Sequence, residues 1–251
     1  MNVSVHSDAD ALSRAAAEEF VELARASIRS RSRFTVVLSG GSTPRRMYEF
    51  LAALPLRDRV EWSRVEVFWG DERGVPPDHP DSNFHMASSA LLEHVPIPPQ
   101  RIHRMRAETS DRAAAARDYQ LEIARAFGVD IAGIPPSFDL VLLGMGNDGH
   151  TASLFPNDEA LLEGRRWAVS VEAPQRPPPS RITLTAPILN RAREIRLLVA
   201  GQDKAATLRA VLQGPHEPRR TPVQLIKPEN GRMIWLVDEA AASKLDKAVV
   251  A

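Results

Sequence analysis

Strand-like and helix-like segments alternate along this chain from one end to the other, and no other feature of the sequence restricts the fold as much. A helix pattern over residues 10–28 precedes the apolar strand pattern Phe34–Leu38, and the next helix pattern begins at Thr43. Further strands are predicted at Val65–Trp69, 138–143, 181–185, 193–200 and 232–237, and further helices over 82–93, 111–127 and 204–212 and from Glu239 onward. Helices between successive strands favour parallel pairing, so the sequence predicts an α/β fold, a mostly parallel sheet flanked by helices on both faces.

Composition excludes several classes of function. Lys plus Arg and Asp plus Glu each number 32, and this net charge of zero argues against nucleic acid or an anionic membrane as the main partner. The absence of cysteine excludes disulfides, thiolate nucleophiles and cysteine-ligated zinc, and His79, Asp81 and His85 lack a metal-ligand spacing. We find no signal-peptide pattern, no apolar run that would span a bilayer and no linker or repeat. We therefore predict one cytoplasmic domain over residues 1–251, without a metal ion.

Three polar, glycine-containing segments directly follow predicted strands. They are residues 39–44 (SGGSTP), 70–74 (GDERG) and 144–156 (GMGNDGHTASLFP). Ligands of parallel α/β sheets bind beyond the carboxyl ends of the strands, so these segments are the candidates for a functional site.

The first segment has the features of an anion-binding turn. Gly40 and Gly41 let the backbone approach a phosphate, and Ser42, Thr43 and Pro44 open a helix whose N-terminus favours negative charge, with Thr43 as the expected N-cap. The segment is neither a Walker loop nor a nucleophile elbow, because it lacks both spacings. Taken alone, it fits a phosphate site and a plain capped turn equally well.

The second segment places two acids and an arginine after a strand. Arg73 has the chemistry to bind a phosphate or a carboxyl oxygen, and Asp71 or Glu72 has the chemistry to orient a base. Taken alone, such a segment is more often a solvated loop with a surface ion pair.

The third segment matches the dinucleotide pattern G-x-G-x-x-G over residues 144–149, but Pro156 leaves little room for the helix that this pattern needs. We therefore reject nicotinamide binding. His150 begins a short helix-like stretch over 151–154, and a helix N-terminus disfavours a charged imidazole. A general base has to be neutral, so the polar setting favours a catalytic over a structural histidine.

Two further cations accompany predicted strands. Lys204, which follows one strand, is able to direct its ammonium group at a phosphate, although a solvated helix lysine is the commoner outcome. Arg181 opens another strand beside the prolines at 177–179, and it is either a ligand arginine or an edge charge.

Taken together and in this order, the motifs resemble those of the 6-phosphogluconolactonases, relatives of the glucosamine-6-phosphate deaminases. The resemblance covers nearly the whole chain and rests on LSGGSTP, FWGDERGVPPDHPDSNFHMA, LLGMGNDGHTASLFP, RITLTAPILN and LLVAGQDKAATLRAVL. It implies a Rossmann-like α/β fold, a small sugar-phosphate substrate, no cofactor, and hydrolysis of 6-phosphogluconolactone in the pentose phosphate pathway. The sequence does not choose between a monomer and a small homo-oligomer.

The resemblance also implies roles for individual residues. His150 corresponds to the histidine that acts as the general base in this family. The residues that correspond to the phosphate-binding set are Gly41, Ser42, Thr43, Arg73, Lys204 and Arg181, with Gly40 in the same turn. The sequence leaves open which acid orients His150; our hypothesis is Asp148 or Asp71.

Two other functions remain as alternatives. The related deaminases carry a glutamate after the histidine, whereas residues 154–156 of this chain are Leu-Phe-Pro, which weighs against deamination. A non-catalytic sugar-phosphate sensor usually carries an added DNA-binding module, and no separate basic domain fits before Phe34.

Overall fold

A computed structural model describes residues 2–246, which contain nine strands and seven α-helices. The strands are β1 (Asn2–His6), β2 (Phe34–Leu38), β3 (Val65–Trp69), β4 (Asp71–Arg73), β5 (Leu140–Gly144), β6 (Ala168–Glu172), β7 (Ser180–Leu184), β8 (Glu194–Val199) and β9 (Arg232–Asp238). The helices are α1 (Ala9–Arg31), α2 (Ser42–Ala52), α3 (Asn83–Ala90), α4 (Arg112–Phe127), α5 (Ala186–Leu189), α6 (Ala205–Gln213) and α7 (Glu239–Ala242). None of the helices in this part of the chain has the length and apolarity needed to span a membrane.

Six strands form one sheet in the order β1-β9-β8-β5-β2-β3, and every neighbouring pair is parallel. The apolar sequences of β2, β5 and β8 are buried along nearly their whole length, as expected for central strands covered on both faces. The predicted mostly parallel α/β sheet is thereby confirmed.

The connections run across this sheet in two directions. The connections from β1 to β2 and from β2 to β3 place each new strand closer to the β3 side of the sheet. The connections that lead into β5, β8 and β9 place each new strand closer to the β1 side. Because crossovers between parallel strands are right-handed, α1 and α2 cover one face, and α4 and α6 cover the other. The direction reverses between β2 and β5, so ligands are expected at the carboxyl ends of these two strands.

A second, antiparallel sheet has the order β4-β7-β6. It contains the strand predicted at 181–185, but β4, β6 and the edge strand β1 were not predicted. β4 has only three residues, and β1 and β6 have two valines each, whereas the predicted strands β2 and β5 each have four large apolar residues. The interpretation of residues 70–74 as a solvated loop is wrong, because β4 pairs with β7 and buries both of its acidic side chains.

A buried carboxylate fixes β5 against β2. Asp139, just before β5, is 5% exposed and accepts hydrogen bonds from N (2.9 Å) and Oγ1 (3.0 Å) of Thr35. The other carboxylate oxygen of Asp139 accepts a hydrogen bond of 2.9 Å from Nε of Arg31, the last residue of α1. The two strands that carry the switch point are therefore joined at their amino ends by charge-assisted hydrogen bonds.

We predict that Asp139→Ala lowers the free energy of unfolding by about 3 kcal/mol, because it leaves the buried N–H of Thr35 without this acceptor and Arg31 without its carboxylate partner. Urea unfolding followed by circular dichroism measures the change. Asp58→Ala, which removes an exposed carboxylate, is the matched control, with an expected change below about 0.5 kcal/mol. Equal changes in the two variants would contradict the structural role of Asp139.

Candidate active site

Segments 39–44 and 144–156 both lie at the switch point, because they follow the neighbouring strands β2 and β5. Residues 201–204 follow β8, the next strand, and β4 begins two residues after the end of β3. The sheet thus brings all the polar segments predicted from the sequence to one edge, the one formed by the carboxyl ends of its strands.

His150 and Asp148 form a hydrogen-bonded pair at this edge. Nδ1 of His150 lies 2.6 Å from Oδ1 of Asp148, and the same oxygen accepts from the backbone N–H of His150 at 3.2 Å. Burial favours a higher pKa for Asp148, but the hydrogen bond and charge of His150, together with the charge of Arg176, lower this pKa to about 2. Asp148 is therefore ionised at neutral pH and fixes the imidazole through Nδ1.

The second carboxylate oxygen of Asp148 accepts a hydrogen bond from Nη2 of Arg176. The guanidinium of Arg176 also lies over the ring of Phe155, 4.8 Å from its centroid, and the ring of His150 lies 5.0 Å from the same centroid. Arg176 and Phe155 had no predicted role. The signal that marks Arg176 in the sequence is its place directly before three prolines, which make a stiff support for a side chain.

The expected helical stretch over 151–154 is wrong. Ala152 has a left-handed φ of 48°, and Thr151 and Leu154 form an isolated antiparallel bridge. The polar groups of this stretch form hydrogen bonds with other segments. Oγ1 of Thr151 donates to the carbonyl of Gly144, and N of Ser153 donates to Oγ1 of Thr183. The argument from a helix N-terminus therefore does not apply to His150, which is held by a carboxylate instead.

Asp71 has a different environment from that of Asp148. It is 6% exposed and accepts hydrogen bonds from Oγ of Ser153 at 2.7 Å and from Nδ2 of Asn83 at 3.2 Å. Of the two acids in our hypothesis, the structure thus places Asp148 against the imidazole, and Asp71 joins β4 to α3 and to the segment after His150. A Cβ on Gly40 would lie 2.0 Å from Oδ1 of Asn83, so this network also includes the turn after β2.

Glu72 caps a helix. Its carboxylate accepts hydrogen bonds from the N–H groups of Asn83 (2.8 Å) and Phe84 (2.7 Å), in the first turn of α3, and from Oγ of Ser82 (3.1 Å). Burial raises the pKa of Glu72, and the N–H groups of Arg73, Asn83 and Phe84 oppose that rise. These contacts assign Glu72 to the support of α3.

Arg73 and Arg181 are direct cross-strand neighbours on β4 and β7. Burial lowers the pKa of Arg181, and the charges of Arg73 and Arg176 act in the same direction, while those of Asp71 and Glu72 oppose it. The buried Nε of Arg73 has no hydrogen-bond partner among residues 2–246. Like charges in direct cross-strand positions are unfavourable, so this arrangement favours an anion between them.

Arg181 also supports the loop that carries Arg176. It is 7% exposed, and it donates from Nε to the carbonyl of Pro178 (3.1 Å) and from Nη2 to the carbonyl of Arg176 (3.3 Å).

The glycine turn after β2 leads directly into α2. Gly41, with a φ of 108°, is the N-cap of α2, and no side chain caps this helix. The expectation that Thr43 is the N-cap is therefore wrong, because the positive φ of Gly41 starts the helix earlier. The first intrahelical bond runs from N of Arg45 to the carbonyl of Gly41, so the helix leaves the N–H groups of Ser42 and Thr43 without an intrahelical acceptor.

Lys204 lies next to the segment that contains His150. Its ammonium group donates to Oδ1 of Asn147 and lies 3.4 Å from Oδ2 of Asp203. Oγ1 of Thr207 donates to the carbonyl of Asn147 at 2.5 Å, so the start of α6 is bonded to the loop after β5. A surface cavity of about 1100 Å³ lies elsewhere, between α4 and β6, and none of these residues lines it.

Position 146 tolerates no side chain while the His150–Asp148 pair stays in place. A Cβ on Gly146 would lie 2.0 Å from Nδ1 of His150 and 2.8 Å from Oδ1 of Asp148. We predict that Gly146→Ala breaks this hydrogen bond and lowers the free energy of unfolding by about 1–2 kcal/mol. The downfield NMR resonance of the bonded Nδ1 proton and urea unfolding measure the two effects.

Gly164→Ala is the matched control, because a Cβ at Gly164 has nothing within 4 Å. The control should retain the resonance and the stability of the parent chain. Retention of the resonance in Gly146→Ala as well would refute the close approach at this glycine.

Comparisons with known proteins show which family the chain belongs to. The family model described as glucosamine-6-phosphate isomerases/6-phosphogluconolactonase matches residues 7–235. The chain is 44% identical over 218 residues, 87% of each protein, to a 6-phosphogluconolactonase of Synechocystis sp.. It is 39% identical to a 6-phosphogluconolactonase of Streptomyces coelicolor, over 98% of this chain and 95% of that protein.

A solved structure of 6-phosphogluconolactonase from Trypanosoma brucei superimposes with a TM-score of 0.86 at 30% identity and covers 98% of both chains. A monomeric glucosamine-6-phosphate deaminase has the same fold, with a TM-score of 0.79 at 23% identity. The chain therefore belongs to the family of glucosamine-6-phosphate isomerases and 6-phosphogluconolactonases.

Proposed function

We propose that this chain is an enzyme that hydrolyses 6-phospho-D-glucono-1,5-lactone to 6-phospho-D-gluconate in the oxidative pentose phosphate pathway, with His150 as the general base. The observation that supports this most directly is the His150–Asp148 pair at the switch point of the parallel sheet, next to a glycine turn and the buried Arg181. The lactonase names of relatives that align over most of this chain give the substrate.

The contact between Asp148 and Nδ1 defines how His150 acts. A carboxylate at Nδ1 holds the proton on that nitrogen and leaves Nε2 free to accept a proton from water. When the imidazole takes up a proton, the carboxylate of Asp148 stabilises the positive charge. Asp148 is ionised at neutral pH because its pKa is low.

A δ-lactone is an activated ester, so water attacks its carbonyl carbon without a covalent enzyme intermediate. The oxygen of the water forms the new C–O bond, and its proton passes to Nε2 of His150. N–H groups of the glycine-rich loop after β5 stabilise the oxyanion that forms on the carbonyl oxygen. The ring C–O bond then breaks, and His150 returns the proton to the departing hydroxyl oxygen. None of these steps requires a cofactor.

The phosphate of the substrate has a cationic binding region at the same sheet edge. We assign this role to two groups of residues. The turn after β2 contributes Gly40, Gly41, Ser42 and Thr43, and the three cations are Arg73, Arg181 and Lys204. The N–H groups at the start of α2, which the helix itself leaves unpaired, and the cross-strand arginine pair both favour a dianion. Phosphate binding away from the carbonyl orients the lactone towards His150.

Deamination of an amino sugar is the second candidate, and the environment of His150 weighs against it. The position where related deaminases carry an acid is apolar here, and the ring of Phe155 contacts the imidazole. A sugar-phosphate sensor is disfavoured by the retained base and carboxylate. The cytoplasmic location, the single domain and the monomeric or small homo-oligomeric state stay predictions.

We predict that His150→Ala lowers kcat/KM for lactone hydrolysis by about 10²–10⁴-fold, because it removes the general base. The lactone is generated from glucose 6-phosphate, and its hydrolysis is measured above the spontaneous background. His216→Ala, which removes an exposed histidine, is the matched control and should retain full activity. A well-folded parent chain that does not accelerate hydrolysis would refute the proposed function.

We predict that Asp148→Asn lowers kcat at least tenfold and moves the acidic limb of the kcat/KM profile to lower pH. Asp148 has a pKa of about 2 and is a carboxylate across the assay range, so it favours the protonated imidazole there. Asparagine carries no charge, so the protonated imidazole loses this stabilisation. The profile is recorded between pH 5 and 8, and a limb displaced to higher pH would contradict the assigned pairing.

A further inference from the structure

The loop that connects β6 to β7 is closed by hydrogen bonds of its own backbone. N of Ala173 donates to the carbonyl of Pro179 at 2.7 Å, and N of Arg176 donates to the carbonyl of Ala173 at 2.9 Å. Three of its residues, 177–179, are prolines, which restrict the backbone before any ligand arrives.

A buried arginine fixes this loop from the sheet side. Arg181 bonds the carbonyls of Arg176 and Pro178, and its guanidinium lies 5.9 Å from the centre of the ring of Phe155. Phe155 packs with Val169 and Val171 of β6, so the ring is fixed as well. Arg176 consequently leaves the loop in one direction, across the face of Phe155.

The guanidinium of Arg176 reaches the carboxylate oxygen of Asp148 that His150 does not use. A carboxylate bound at one oxygen alone is able to rotate, whereas a carboxylate bound at both oxygens is held in one plane. Asp148 is the charged group bonded to the imidazole, Arg176 bonds Asp148, and Arg181 lies over the same Phe155 ring. Lys204 bonds Asn147, the residue before Asp148.

We propose that Arg176 is a positioning residue, which holds Asp148 through its second oxygen so that Asp148 orients His150. This inference rests on the proposed lactonase activity and extends it from the pair to a triad of His150, Asp148 and Arg176. Arg176 has a second effect besides orientation, because its positive charge opposes protonation of the nearby imidazole.

The test compares Arg176→Gln and Arg176→Lys with the parent chain. In Arg176→Gln we expect kcat to fall about tenfold, KM to change less than twofold, and the acidic limb of kcat/KM to move to higher pH by about 0.5–1 unit. Arg176→Lys keeps the charge and should restore the position of the limb and part of kcat. Arg165→Gln, an exposed arginine, is the matched control, with an unchanged profile.

A double-mutant cycle separates positioning from direct substrate binding. If Arg176 acts through Asp148, Arg176→Gln has less than a twofold effect on kcat when Asp148 is already asparagine. A rise in KM with an unchanged kcat and acidic limb would overturn the inference, because it would place Arg176 on the substrate. A full tenfold loss in the Asp148→Asn background would overturn it as well.

An NMR titration of the His150 ring distinguishes a failure of this inference from a failure of the proposed function. The titration needs no substrate, and we expect Arg176→Gln to move its midpoint to higher pH by about 0.5–1 unit. An inactive parent chain would refute the lactonase proposal alone. An active parent chain whose titration midpoint is the same in Arg176→Gln would refute the role of Arg176 alone.

Discussion

The arrangement of the site depends on one buried carboxylate, that of Asp71. Isolated burial of this charge would be costly, and hydrogen bonds from Ser153 and Asn83 offset that cost. These two donors come from the segment after His150 and from α3, and Asn83 also packs directly over Gly40. Three segments that lie far apart in the sequence are therefore held at one sheet edge by groups that take no part in the proposed chemistry.

The two sheets contribute different parts of the site. The parallel sheet supplies the glycine turns and the His150–Asp148 pair, because its switch point opens a crevice between β2 and β5. The antiparallel sheet supplies positive charge, since it aligns Arg73 with Arg181 and carries Arg176 on its β6–β7 loop. A chain with zero net charge thus concentrates cations where a sugar phosphate would bind.

Sequence reasoning failed where local pattern and tertiary contacts disagree. The stretch after His150 has helix-compatible residues, but Thr151 and Ser153 bond to β5 and β7, and Ala152 turns left-handed. Asp71 and Glu72 in the sequence suggest a solvent-exposed loop. Both are buried, because their carboxylates accept hydrogen bonds from α3 and from Ser153. In each case, hydrogen bonds with distant partners outweighed the local preference.

The sequence by itself determined the order of the strands β2, β3, β5, β7, β8 and β9 and of the helices other than α5, and the placement of glycine segments at strand ends. These features follow from periodicity and local residue type, which need no knowledge of distant neighbours. The tertiary structure alone decided that Asp148 and not Asp71 contacts the imidazole, and that Arg176 binds Asp148. Such pairings depend on side-chain direction after the loops have folded, and residue spacing along a chain does not encode that direction.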